Sequence, residues 1–181
     1  CRLAVPATTA ASVQVEIKSR MKICWERELG PDWSKFLGCY WRRVSATTIQ
    51  VKPEPRHLTA LTALCGLQEA KGVKTPLWSE QVEAQEGEPL TEVEAGTFRR
   101  AVGILQWVAL SRVDMKYSAK ELARFLARPS SRDKARLKKL VKHYRHTQVY
   151  VQDLVLKADV EPVLEVWADA NIAAGETRKA T

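Results

Sequence analysis

The chain has 181 residues, 45% of them apolar, with a formal net charge of +8 and a pI near 9.5. That suits one ordinary domain or two small lobes, and no apolar run approaches the roughly 18 residues of a membrane-spanning helix, so no membrane partner is expected. Cys1, Cys24, Cys39 and Cys65 form no C-x-x-C pair, so neither a zinc site nor a disulfide framework is expected, and reducing surroundings fit them better.

The first residue is Cys1 rather than Met, so the start reads as internal or processed. Ala4 to Val13 is too weakly apolar and too lightly charged at its start for a signal peptide. Val13 to Leu29 places Val13, Ile17 and Met21 on one face of a helix that Gly30-Pro31 ends. Tyr40 to Val51 alternates around SATT, which predicts a β-hairpin, YWRRV and TIQV. Pro53 and Pro55 break it. Arg56 to Leu67 predicts a short helix closed by Gly66.

Gly72 to Pro76 reads as extended. Ser79 to Glu94 carries six glutamates with Gly87 and Pro89 and almost nothing to bury, which predicts an acidic surface linker. Glu94 to Leu110 predicts a helix with Phe98, Val102 and Leu105 inside, and Tyr117 to Ala127 a second. Ser130-Ser131 caps a third, Arg132 to His146, basic outside and apolar at Leu137, Leu140, Val141 and Tyr144. Val149 to Leu156 and Val163 to Trp167 read as strands. The fold class is therefore mixed α/β (α+β).

The charge is uneven. Residues 1–90 hold 12 basic and 10 acidic side chains, net +2, whereas residues 91–181 hold 17 and 11, net +6. Arg99 to Arg145 alone has 14 basic residues against Asp114, Glu121 and Asp133, net +11. So dense a field suits a polyanion such as nucleic acid, although a solvated helix surface competes with that reading.

Three groups carry candidate chemistry. In Phe36, Leu37, Gly38, Trp41, Arg42 and Arg43, a hairpin sets arginines beside an aromatic, which can pair phosphate and stack a base. Arg99 and Arg100, with Arg132, Arg136, Lys138, Lys139, Lys142 and Arg145, supply basic helical faces. Phosphate contact there positions a duplex without reading its sequence. Asp169, at the exit of the last strand, could bind a hard cation through oxygen. His57, His143 and His146 have no partnering acid at sensible spacing and read as surface residues. Trp25, Trp33, Trp78 and Trp107 read as packing anchors. No Gly-rich phosphate loop, H-E-x-x-H or nucleophile elbow occurs, so no small-molecule substrate is evident.

Four segments in register resemble the Pol polyprotein of copia-type LTR retrotransposons. KFLGCYWRRVSATTIQV is similar to that family's FLG-plus-hairpin, and PRHLTALTALCGLQEAKGVKTPLW to its next helix and K-x-V-x-T-P-L exit. FRRAVGILQWVALSRVDMKYSAKELARFLARPS resembles Y-R-x-x-V-G-x-L-x-Y followed by T-R-P-D-I and L-S-R-F. WADANIAAGETRKAT resembles S-D-A-D-W-A-G with T-R-x-S-T. The chain departs from the pattern at Val113 for Pro, Asn171 for the second acid and Ile172 for Trp.

The resemblance implies the end of a reverse transcriptase running into the start of RNase H. Residues 1–55 would close the palm with a primer-grip-like hairpin, and 56–78 would form a thumb-like helix and exit. Residues 79–94 would be the linker, 95–148 a basic thumb or connection region, and 149–181 the first strands of an RNase H-like sheet. Partners would be an RNA–DNA hybrid or DNA duplex and the rest of the Pol polyprotein. The parent would be an RNA-directed DNA polymerase with RNase H that uses Mg²⁺, with Asp169 as the first acid and metal ligand of the nuclease site. The polymerase aspartates are not in this sequence, so the piece is expected to be catalytically silent without a cofactor of its own. The rival reading is a non-enzymatic basic helical interaction module.

Overall fold

A computed structural model describes residues 10–20, 22, 28–78 and 87–155. Among these, five helices and four strands form a mixed α/β structure. Helix α1 spans Ala10–Arg20, where Arg20 pairs with Glu16 one turn earlier at 2.6 Å, both exposed. The rest of the helix expected to Leu29 lies largely outside the described residues.

Strands β1 (Ser34–Phe36) and β2 (Cys39–Arg43) meet at a two-residue turn, Leu37-Gly38. Both turn residues have positive φ, 47° and 69°, the backbone twist that a tight hairpin of right-twisted strands requires. The expected hairpin forms between β2 and β3 (Thr48–Pro53), with Arg43 opposite Ile49. Its loop closes through Val44 N–H donating to the Thr48 carbonyl at 2.9 Å.

Strand β4 (Gln152–Val155) pairs antiparallel with β3, so the sheet order is β1-β2-β3-β4. The first strand of the region expected to open a separate sheet at 149 is thus the fourth strand of the hairpin sheet. The second expected strand, Val163–Trp167, lies outside the described residues, as does Asp169.

Helix α2 (Pro55–Cys65) starts with Pro55, whose missing N–H falls where a helix leaves donors unpaired anyway. Gly66 ends it in the left-handed region, φ 64°, and Leu67 N–H turns back onto the Thr62 carbonyl at 2.8 Å. Helix α3 (Glu92–Val108) begins inside the segment expected as linker. Thr91 and Glu94 form a capping box that fixes the start.

Lys134 also donates to Glu94, at 2.7 Å. That bond, with those from Thr91, holds the Glu94 carboxyl down at about 2 against an ordinary 4.5. A depressed folded-state value gives stability that is complete above 4.5 and lost as pH falls through 4.5 towards 2. Glu94→Gln is therefore expected to flatten part of the acid limb of the stability–pH curve, read from urea midpoints. A limb of unchanged depth would contradict this.

Helix α4 runs Val113–Ala123, starting and ending four residues before the expected Tyr117–Ala127. Asp114 sits in its first turn, where an acid favours the helix dipole. Beyond it, Phe125 N–H and Leu126 N–H bond three residues back, a tighter winding that leads out of the helix. Helix α5 (Ser131–His146) opens on a second capping box, Ser130 with Asp133.

One core joins the four later helices. Leu61 and Leu67 pack with Phe98, Val102, Leu105, Met115, Leu122, Leu140 and Tyr144. The segments on either side of the 79–94 linker therefore share a single core. The sheet meets it through Cys39, whose thiol lies 3.7 Å from the Ser111 hydroxyl. Cys65 packs against this core, and burial pushes its thiol up to about 11 from 9. Alkylation by iodoacetamide near pH 8 should be about a hundredfold slower at Cys65 than in the unfolded chain, since thiolate is the nucleophile. Equal rates in the folded and unfolded chain would contradict the burial.

Candidate nucleic-acid interface

The Leu37-Gly38 turn projects over the first turn of α2 and the last turns of α3. The Gly38 carbonyl accepts Glu54 N–H at 3.0 Å and lies 3.2 Å from His57 Nε2. A Cβ on Gly38 would stand 2.9 Å from Trp107 Nε1 and 3.1 Å from His57 Nε2. Only glycine supplies both the positive φ and this approach. Gly38→Ala is expected to lower stability by about 1–2 kcal/mol, measurable by urea unfolding. An unchanged midpoint would contradict the close packing.

Beneath the turn opens a groove of about 550 Å³, lined by Leu37, Arg56, His57, Arg100, Ile104 and Trp107. Arg100, Ile104 and Trp107 follow at helical spacing on one face of α3. Leu37 is 64% exposed and Trp107 41%, so an apolar floor stays open to solvent. Arg56 pairs with Glu54 at 2.7 Å, and the same carboxylate holds Lys35 at 2.7 Å. The Lys35 hydrogen bond, aided by Arg56, keeps the Glu54 carboxyl below its usual range against the opposing effect of burial. Arg100 is exposed and enters no ion pair among the described residues. An exposed indole and two arginines lining one groove can stack a base and meet phosphate, Arg56 while paired with Glu54 and Arg100 without such a partner among the described residues.

The expected hairpin residues divide. Leu37 and Gly38 shape the groove. Phe36 and Trp41 line a neighbouring apolar crevice with Leu110 and Leu154, and the Trp41 indole donates to the Phe36 carbonyl at 3.3 Å. Arg42 is engaged with Gln50 at 2.8 Å and lies over the Trp33 ring at 4.6 Å. Arg43 stays exposed at the far end of β2.

The basic helical residues divide too. Arg99 donates to the Leu126 carbonyl at 3.0 Å and pairs with Glu92 at 2.8 Å. Arg136, expected on an outer face, is only 6% exposed. It pairs with Asp133 at 3.1 Å and lies over Trp78 and Phe125. The aromatic rings and the aliphatic stem of the arginine draw that position inward. Arg145 donates to the Leu67 and Gln68 carbonyls and so ties off the end of α2. These three arginines hold the fold. Arg132 is half-buried within its own contacts. Lys138, Lys139 and Lys142 are half-buried and enter no ion pair among the described residues.

A second cluster escaped the sequence reading. Arg112 is fully buried and grips Asp114 with two bonds, 2.9 and 2.7 Å. It also donates to the Thr147 carbonyl and hydroxyl, and its guanidinium lies over Tyr144 and Tyr150. His143, expected at the surface without an acid, is 4% exposed with Nε2 at 3.0 Å from Asp114 and Nδ1 at 3.3 Å from the Val73 carbonyl. Burial alone would raise the Asp114 carboxyl, but the bonds from Arg112 and His143 reverse this and hold it below its ordinary value. The cluster ties the starts of α4 and the 72–76 segment to the end of α5.

Asp169, the expected metal ligand, lies outside the described residues. Among the described residues, no group of three His, Cys, Asp or Glu is arranged to hold a metal ion, and no helix is long and apolar enough to cross a membrane. Compared with known proteins, the chain matches no family model, no curated protein and no solved structure.

Proposed function

We propose that this chain is a piece of a copia-type retrotransposon Pol polyprotein, covering the end of reverse transcriptase and the start of RNase H, and that it binds the template–primer duplex. The observation that carries the reading is the groove under Leu37-Gly38. There the FLG segment, the PRHL segment and the FRRAVGILQW segment, three of the stretches that resemble the family, supply one cationic, aromatic surface. Arg56 and Arg100 meet backbone phosphate, and Trp107 receives a base or sugar face. On this reading Asp169 is the first acid of a magnesium-dependent nuclease site in the parent, which would also carry polymerase activity. The piece itself binds and does not catalyse.

The rival, a protein-interaction module without enzymatic ancestry, draws support from the apolar crevice of Trp41, Leu110 and Leu154 beside the groove. Binding of a labelled RNA–DNA hybrid, followed by fluorescence anisotropy, separates the two. Phosphate contacts release counterions, so affinity should fall more than about tenfold between about 50 and 200 mM salt. Absence of binding, or affinity indifferent to salt, would favour the rival.

A further inference from the structure

The segment after α2 is stitched onto the second half of α5. Arg145 holds the Leu67 carbonyl at 2.8 Å, Val73 N–H donates to the Lys142 carbonyl at 3.3 Å, and His143 meets the Val73 carbonyl. Gly72 lies so close to His146 that a Cβ there would stand 2.8 Å from the His146 Cβ. These contacts bring exposed Lys71 and Lys74 beside α5, where Lys138, Lys142 and His146 follow at four-residue steps along one stripe. Glu69, the nearest acid in sequence, is exposed and forms no ion pair with any of them. Basic side chains in the last turn of α5 are common because they answer the helix dipole. The dipole does not account for Lys71 and Lys74, which a different segment brings in.

We infer that Lys71, Lys74, Lys138 and Lys142 form a second phosphate-binding site, which acts with the Arg56–Arg100 groove on one nucleic-acid duplex. The inference rests on the duplex-binding function proposed above and adds its footprint. The two sites sit at opposite ends of α2. Its 11 residues cover about 16 Å, and the added turn brings the separation to roughly 20 Å. At about 3.4 Å of helix axis per phosphate of one strand, that is an axial offset of about six phosphates. A duplex can bridge such a span as a rigid body, whereas a mononucleotide reaches one site only.

The test uses the full chain and a hybrid of about 14 base pairs, with affinity measured across a salt series. Lys71→Gln, Lys74→Gln and Lys142→Gln combined should lower the slope of log affinity against log salt by about 2 to 3, at about 0.9 per lost phosphate contact. The matching triple Lys→Arg variant should keep the parental slope, which excludes a change in folding as the cause. If the glutamine triple keeps the parental slope while Arg100→Ala lowers it, the second site is wrong and the duplex-binding reading stands. If the parent chain does not bind the hybrid at any salt, both fall.

Discussion

Replacing Arg112 by Ala should destabilise the chain by about 3 kcal/mol. The side chain is fully buried and makes two bonds to Asp114 and two to Thr147 while lying over two tyrosine rings. Removing one partner of such a pair costs far more than the pair itself contributes, because the remaining charge is left without compensation. Asp114 would keep only His143 and partial contact with solvent. Arg112→Lys should recover little, since an ammonium cannot reproduce the two-pronged geometry. Urea unfolding measures both, and a loss under about 1 kcal/mol for Arg112→Ala would show that the cluster is dispensable.

Arg56→Ala with Arg100→Ala should weaken hybrid binding by roughly ten- to a hundredfold at about 0.1 M salt and lower the salt slope by about 2. The folded state should scarcely notice Arg100→Ala alone, with a stability change within about 0.5 kcal/mol, because the side chain is exposed and in no ion pair among the described residues. Arg136→Ala should behave in the opposite way. Its guanidinium is buried between Asp133 and two aromatic rings, so stability should fall while the salt slope holds. If Arg136→Ala lowered the slope and the groove pair did not, the nucleic-acid surface would lie on α5 and not at the turn.

Local signals made much of the fold readable. The alternation of Tyr40 to Val51 gave the hairpin, Gly66 marked the end of α2, and Ser130 marked the start of α5. The linker's glutamates concealed a helix start, because Glu94 is both an acidic surface residue and the capping partner of Thr91. Helix α4 starts four residues before the expected position, because its N-terminus carries no side-chain cap that a local pattern could mark; Arg112 there reaches Asp114 and, at the far end of α5, Thr147. Residues 99–145 are strongly basic in composition, but composition does not separate the arginines that pack from those that face solvent. A helical wheel puts Arg136 among lysines, whereas only packing shows that Trp78 and Phe125 draw it inside. The groove was half visible in Leu37 and Gly38. Its other wall, Arg56, His57 and Trp107, comes from segments 19 to 70 residues away in sequence, which no local pattern connects. Trp107 looked like a core anchor because an indole usually is one, and its exposure follows from its position at the open end of α3.

The most direct test of duplex binding at this groove is a two-dimensional amide NMR titration of the full chain with an RNA–DNA hybrid. The Leu37 and Gly38 amides and the Trp107 indole N–H should shift together, and saturate together, at hybrid concentrations that salt raises. Shifts confined to other surfaces, with these three signals unmoved, would contradict the assignment of the groove as the nucleic-acid interface.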